Sequence, residues 1–504
     1  MTPAVGLDNK GGASLDAMPI NADDRLAPLP LVVDMDGTLL LTDSLFEGWM
    51  QFWRDKPQQA ALTPLWLMRG RVAFKAEIAN RITLDVEYLP YNQDLIDHLR
   101  TERARRTIVL CTAADQRFAK AVAKHLDLFD EVIATDSTVN LASQAKADAL
   151  VAKFGYKGFD YAGNDTTDLA VFAVAERAIA VNPTRALRRQ LTQVTNLEPW
   201  RDARSASRTS SLSAHWQALR PTQWVKNLLV FVPLLAVFKA SDPYMFVPAT
   251  LAFIAFSLVA SSVYLLNDLV DLGPDRRHPR KRFRPFAAGA IPIRNGFLMI
   301  PPLLIAGFIT ATFVSPIFVG VLFLYGCVTS LYSFWLKRVP LLDTLVLAGL
   351  YTLRILAGAA AISVIPSVWL LSFSMFMFLS LALAKRHSEL IEMQEVASKS
   401  AIPGRDYRRE DLNILISQGS ASGYSAVLVL ALYIDSDTVR QQYRHPEVIW
   451  LICPLVLYWI NKLWLNSQRR EIYDEPIVWA IRNRVSRGIA LVSVGLLLLA
   501  RWLP

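Results

Sequence analysis

Cysteine is scarce in this 504-residue chain, with Cys111, Cys327 and Cys453 the three present. They form neither a metal-ligating spacing nor a disulfide framework, so three isolated buried thiols are expected. The net charge of +9 comes with no nucleic-acid-binding motif, and its cations gather beside apolar segments. That distribution excludes a nucleic-acid partner from the reading. Residues Met1–Asp24 lack an apolar core preceded by a basic stretch, and read as a disordered leader rather than a secretory signal. Beyond residue 214 charge is rare over long stretches, and apolar runs take over.

What is present divides in two. After a leader over 1–28, residues 29–195 read as a soluble α/β domain. Short apolar strands are expected at Leu29–Asp34, Thr107–Thr112, Glu131–Thr135, Phe159–Ala162 and Ala178–Val181. Helical patterns at Tyr91–Arg103, Gln116–Leu126 and Gln144–Phe154 separate them, which argues for a parallel, doubly wound, Rossmann-like sheet. A helical insertion, about 44–88, carries Trp49, Phe52, Trp53, Trp66 and Met68. That stripe reads as packing first and as bilayer contact second. A Ser/Arg-rich linker over 196–213 follows, then a membrane domain over 214–504.

In that last stretch nine apolar segments lie near 224–240, 244–266, 293–314, 316–336, 341–363, 366–384, 412–434, 447–465 and 488–503. Most have the length needed to cross a bilayer. Arg276–Arg284, Lys337, Arg338, Lys385, Arg386 and the arginines between 469 and 487 fall in alternate loops; the others carry Lys239, Arg440 and Arg444. The bias predicts a multi-pass protein of the inner (plasma) membrane with its N-terminal domain cytoplasmic and its C-terminus outside.

Two acidic motifs carry the chemistry. In the soluble domain Asp34-Met35-Asp36-Gly37-Thr38 follows a strand directly. Two carboxylates two residues apart can divide the work, Asp34 as nucleophile and Asp36 as general acid/base, with Mg²⁺ easing the approach of one anion to another. The motif resembles that of the haloacid dehalogenase superfamily over about residues 29–190. The resemblance implies phosphate binding by Thr112, charge neutralisation by Lys146 and metal binding by Asp34, Asp36, Asp165 and Asp168. Asn164 departs from the family pattern, which usually has Asp there. Loss of that charge weakens the expected Mg²⁺ site.

The second motif is Asn267-Asp268-Leu269-Val270-Asp271, continuing through Asp275 to Lys281 and Arg284. Asn267, Asp268, Asp271 and Asp275 share helical spacing, so one face can collect most of their oxygens. Carboxylates that hold Mg²⁺ beside cations that hold phosphate suit a diphosphate at a bilayer surface. A helix end loaded with carboxylates also needs a cation to offset its dipole. The pattern resembles the UbiA superfamily of polyprenyl transferases. Together with Leu219–Asn227 it resembles the branch that moves phosphoribose from phosphoribosyl diphosphate to decaprenyl phosphate, for decaprenylphosphoryl arabinose and cell-wall arabinan.

The resemblance implies metal ligation by Asn267, Asp268 and Asp271, catalytic roles for Asp271 and Asp275, and phosphate contacts from Lys281 and Arg284. Ordinary members carry a second Asp-rich cluster where this chain has Lys385, Arg386 and Glu389, a set better suited to a sugar phosphate. Lys226 reads equally as a phosphate contact or as a snorkelling interfacial lysine. Asp343 and Arg354, eleven residues apart, are expected to face the bundle interior together. Two alternatives stand beside this reading: a prenyl transferase acting on an aromatic or other acceptor, and a non-enzymatic transporter or scaffold. The soluble domain is expected to remove the 5-phosphate from the transferase product. Oligomeric state is not legible, and a second copy of the chain stays among the candidate partners.

Overall fold

The computed structural model describes residues 28–60, 62–136, 141–191, 194, 196–198, 200, 211–397, 406–472 and 476–502. The expected leader and most of the expected linker lie outside these residues. Two compact units are present: Met1–Leu39 with Asn92–Arg201, and Leu40–Tyr91 with Asp202–Pro504. The helical insertion, read within the α/β domain from the sequence, thus groups with the helical unit.

The first unit is a six-stranded sheet in the order β3-β2-β1-β4-β5-β6, every pairing parallel. Its strands are β1 (Leu31–Val33), β2 (Ile108–Asp115), β3 (Glu131–Thr135), β4 (Asp160–Gly163), β5 (Ala178–Ala180) and β6 (Leu197–Glu198). A parallel sheet is covered on both faces, so its central strands read as apolar runs rather than as alternation. Leu31, Val32 and Val33 are wholly buried, and Val32, Val109, Cys111 and Tyr161 share one core. The expected α/β architecture is therefore found. β6 escaped the sequence reading because a two-residue edge strand leaves no period to detect.

Strand order reverses at β1, which pairs with β2 on one side and β4 on the other. In open α/β sheets that switch point, at the carboxyl ends of the strands, is where ligands bind. Asp34 sits there, one residue past β1.

Among its described residues the second unit is built of helices, eight of which are long and apolar enough to cross a membrane: Pro243–Val270, Ile293–Thr312, Pro316–Phe334, Leu342–Ala361, Val368–Glu392, Arg409–Ile434, Pro446–Gln468 and Arg484–Trp502. The first of the nine expected segments is built differently. Pro221–Phe231 is an 11-residue 3-10 helix, and Val232–Ala236 adds a short α-helix with proline in its first turn. At about 2.0 Å rise per 3-10 residue and 1.5 Å per α residue, the pair extends roughly 30 Å. The seventh expected segment, interrupted by Gln418, Gly419 and Ser420, is one continuous helix. Trp464 fills the space beside Gly419, and Ser380 Oγ donates to its carbonyl at 2.7 Å.

Gly358 sets how the first segment packs. A Cβ there would fall 1.9 Å from the Val230 carbonyl oxygen, so only glycine lets the 3-10 helix lie so close. That approach puts Asn227 Oδ1 3.0 Å from Arg354 Nε.

Candidate functional site

In the α/β unit, Lys146 Nζ donates to Asp34 Oδ1 at 2.8 Å, to the Tyr161 hydroxyl at 2.9 Å and to Asp168 Oδ1 at 3.4 Å. All four side chains are buried. Burial pushes the Asp34 carboxyl up to about 6, with Lys146 pulling it back only in part. Burial alone would lower Lys146, but the carboxylates of Asp34 and Asp168 outweigh it and raise the ammonium.

Asp168 has further duties: its Oδ2 accepts from the backbone N–H of Asn164 and Asp165, each at 3.0 Å. Asp165 accepts from Thr166 N at 2.8 Å and Thr184 Oγ1 at 3.2 Å, which is turn and cap work. Thr112 Oγ1 accepts from Ala114 N at 3.1 Å, and its hydroxyl proton remains available to donate.

Gly37 adopts φ +81°, and a Cβ at that position would lie 2.1 Å from Asn164 Nδ2. The Asn164 amide therefore lies directly against the turn that carries Asp34 and Asp36. Among the described residues no three His, Cys, Asp or Glu side chains are grouped to hold a metal. In this unit Asp34, Asp165 and Asp168, three of the four residues expected as metal ligands, are instead tied to Lys146 or to the turn, and an amide stands where a further carboxylate would converge. The residues present are a poor fit for Mg²⁺ without rearrangement.

The helical unit gathers the second motif around a cavity of about 510 Å³. Lys226, Asn267, Asp268, Asp271, Asp275, Lys281, Arg284, Lys385 and Glu389 all line it. The motif does not run along one continuous helix. Pro243–Val270 ends at Asp271, which caps it, and Leu272–Arg277 is a separate short helix with Pro274 in its first turn. Across the break Asp275 N still donates to the Asp271 carbonyl at 2.9 Å, so the two aspartates keep their i, i+4 relation and both face the cavity.

The carboxylates are answered by cations of the chain itself. Arg220 holds Asp268 in a two-point contact, one of whose bonds is 3.0 Å from Nε, and Arg284 Nη1 adds a third at 3.2 Å. Arg284 also donates to Asp275 at 2.6 Å, and Lys337 Nζ reaches both oxygens of Asp271 at 2.7 and 2.9 Å. The unfavourable helix end foreseen from the sequence is thus offset by side chains. Asp268, buried and held by two arginines, has three of its roughly four lone-pair sites taken, which leaves little for the metal role expected of it. Burial pushes Asp275 up to about 6, against the pull of Arg284. Burial and Lys281 lower His278 to about 4, so it is neutral, and its Nδ1 accepts from the N–H of Arg280 at 3.2 Å.

The fit to a divalent cation is better here. Asn267 Oδ1 is buried with no hydrogen-bond partner among the described residues, an acceptor left for something else to satisfy. Asp271 is the most exposed of the three aspartates, its side chain 30% accessible. Mg²⁺ usually takes one or two protein oxygens and completes its shell with water and substrate phosphate. Asn267 and Asp271 meet that demand, with substrate oxygens supplying the rest.

Lys385 and Arg386 part company. Lys385 lines the cavity, whereas the Arg386 guanidinium is fully buried. It donates to Asp343 at 2.5 Å, to Glu389 at 2.6 Å and to the Tyr332 hydroxyl at 2.8 Å. The expected phosphate contact from Arg386 is thus replaced by a structural one, because helix rotation turns it into the bundle. Asp343 belongs to that network with Tyr407, while Arg354 lines the cavity, so the two do not form one site. Lys226 is buried and turned inward, 5.8 Å from the centre of the Tyr351 ring, rather than snorkelling.

The sequence reading missed Arg220, Lys337 and the tyrosines 325, 332 and 351 on the cavity wall. Lys337 had counted only towards topology. In all, nine Lys or Arg and five Asp or Glu line this cavity, so it is strongly cationic before any metal enters.

A model of the UbiA prenyltransferase family matches residues 228–472. An uncharacterized protein of Sinorhizobium fredii, y4nM, is 38% identical over 91% of this chain and 88% of its own length. Nodulation protein NoeC of Azorhizobium caulinodans is 34% identical over 55% of this chain and 89% of its own. Decaprenyl-phosphate phosphoribosyltransferase of Mycolicibacterium smegmatis is also 34% identical, over 55% of this chain and 89% of its own. The chain belongs to the UbiA prenyltransferase family, a family of membrane transferases.

Proposed function

We propose that this protein transfers 5-phosphoribose from phosphoribosyl diphosphate to decaprenyl or a similar polyprenyl phosphate, releasing diphosphate. The observation that carries the reading is the cavity's excess of cations around an acidic motif. A prenyl diphosphate brings one phosphate cluster. Phosphoribosyl diphosphate brings a second at the 5-position, and the lipid acceptor brings a third. The further cavity cations Lys226, Arg354 and Lys385 suit those additional charges. The similarity to a decaprenyl-phosphate phosphoribosyltransferase supports the same assignment.

In this reading Asn267 and Asp271 would hold Mg²⁺, which when bound would supply positive charge against the departing diphosphate. Lys281 and Arg284 donate to its outer oxygens. Lys337 keeps Asp271 oriented until substrate arrives, and Arg220 fixes Asp268 as a structural carboxylate. The lipid phosphate oxygen attacks the anomeric carbon as the carbon–oxygen bond to diphosphate breaks. One displacement inverts the configuration, and no side-chain nucleophile is needed. Arg386 positions Glu389 and touches no substrate.

The α/β unit is assigned as a phosphatase for the 5-phosphate of the product, with Asp34 as nucleophile and Asp36 as acid/base. Loops rich in Lys and Arg orient the active site to the cytoplasm of the inner membrane.

Purified protein, Mg²⁺, labelled phosphoribosyl diphosphate and decaprenyl phosphate test both assignments. Label should move into the lipid phase, and chelation should stop it. Transfer from a polyprenyl diphosphate instead would replace the transferase reading. Loss of the 5-phosphate at equal rates in wild type and Asp34→Asn would remove the phosphatase reading.

A further inference from the structure

The insertion Leu40–Tyr91 has no role in the chemistry above, yet it grips the loops that carry it. Its helix Ser44–Asp55 presents Glu47, whose two oxygens accept from Arg276 Nη2 at 2.6 Å and Nη1 at 2.8 Å. Both side chains are buried, 6% exposed each. Arg276 Nε donates at 3.0 Å to the Ala287 carbonyl, so one guanidinium ties the insertion to both halves of the loop between Val270 and Ile293. Thr42 Oγ1 donates to Glu47 Oε1 at 2.7 Å and fixes the carboxylate from behind.

The same helix reaches a second loop. Arg338 Nη2 donates at 2.8 Å to the carbonyl oxygen of Arg54. Each contact falls one residue from a cavity group: Arg276 follows Asp275, and Arg338 follows Lys337, the partner of Asp271. Packing reinforces the polar bonds. Trp49 stacks on Phe297 with ring centres 5.1 Å apart, and Met50 joins Leu269, Leu272, Phe286 and Ile293 in one core.

We infer that the insertion is a positioning element of the transferase site, with Glu47 and Arg276 holding the Asp271–Asp275 and Lys337 loops in register with each other. A merely packed insertion would need only the apolar core. A buried bidentate ion pair is an expensive choice unless it fixes geometry, because both charges lose water. The inference rests on the transferase reading for its purpose but not for its contacts. Outer partners of metal-binding groups typically change activity roughly 10- to 100-fold when removed.

The test uses the full chain in lipid nanodiscs. Amide hydrogen exchange is followed in peptides from 271–292 and 335–341, with the helix Arg484–Trp502 as reference. Phosphoribosyl transfer is measured across a Mg²⁺ titration. In Glu47→Gln, exchange should rise several-fold in both loops and not in the reference helix. Transfer should fall about 10-fold, with half-saturation moving to higher Mg²⁺. Arg276→Gln should match it, and the double variant should be no worse than either single one. Thr42→Val, which keeps the ion pair, gives the same changes on a smaller scale should Glu47→Gln fail to fold.

Unchanged exchange in both loops, or additive losses in the double variant, would overturn the inference. If wild type transfers nothing from phosphoribosyl diphosphate, the functional reading falls while exchange still judges the clamp.

Discussion

In the α/β unit one lysine answers two buried carboxylates; around the membrane cavity nine cations surround five acids. Both sites start from aspartates placed where a strand or helix ends. The first closes on itself: Asp34, Lys146, Tyr161 and Asp168 satisfy one another, and Asn164 fills the space above Gly37. The second stays open, because its nine arginines and lysines come from six separate segments and outnumber the acids beside them. A closed site binds little until something displaces its lysine. An open, cationic one is ready for a polyanion.

The comparison breaks most sharply at Asp271. Asp271→Ala should lower phosphoribosyl transfer by roughly 10²–10³-fold, as expected when a group that stabilises developing charge is lost. Lys337 would then face the cavity unpaired, so phosphoribosyl diphosphate binding, read by calorimetry without Mg²⁺, should hold or tighten. Weaker binding along with lost turnover would mean that Asp271 is structural.

Lys146→Met probes the closed site. It strips the ammonium from two carboxylates whose side chains are 10% and 3% exposed. Breaking a buried pair from one side costs about 3–5 kcal/mol. The α/β unit should lose that much in denaturant unfolding followed at Trp200. At lower pH the loss should shrink: Lys146 pulls the buried Asp34 carboxyl down, so without it that carboxyl takes up a proton more readily, and a neutral acid no longer needs the lysine. A pH-independent loss would put the damage in packing instead.

These contrasts also explain what could be read beforehand. The sheet was legible because parallel strands such as Leu31–Val33 are apolar runs bounded by turns. Gln116–Leu126 matched because its amphipathic period and the Asp115 cap agree, and Gln144–Phe154 because Gly155, in the left-handed region, ends it. Asp34 and Asn267–Asp275 stood out through local spacing. Their partners did not. Lys337 lies 66 residues from Asp271, and Arg220 lies 48 from Asp268. No local pattern reports a pair that only tertiary folding makes. Arg386 misled for the reverse reason: next to a cavity-lining lysine in sequence, it lies about 100° further around the helix and points into the core. The insertion's stripe read correctly as packing for Phe52 and Trp66, both buried, while Met68 is 85% exposed.

Asn164→Asp should narrow the difference between the two sites. The new carboxylate would sit against the Gly37 turn and add the charge that Mg²⁺ lacks there. About a 10-fold gain in apparent Mg²⁺ affinity of the α/β unit is expected, measured on p-nitrophenyl phosphate hydrolysis. The rate should rise as pH passes about 6, since burial holds Asp34 protonated below that value and only the carboxylate attacks phosphorus. A gain in affinity with no rise in the hydrolysis rate at saturating Mg²⁺ would mean that the missing charge limits metal binding and not the chemical step.

The smallest effect is expected one residue from one of the larger ones. Arg277 pairs with Asp85 much as Arg276 pairs with Glu47, linking the same insertion to the same short helix. Exposure separates them: Arg277 and Asp85 are 49% and 31% accessible, against 6% for each member of the other pair. Water already solvates the exposed charges, so Arg277→Ala should cost under about 1 kcal/mol in unfolding, and less in high salt. Transfer should stay within about twofold of wild type. If Arg277→Ala instead matched Glu47→Gln, the net charge of the insertion surface would matter more than the buried geometry of one guanidinium. The clamp would then work at a distance rather than by contact.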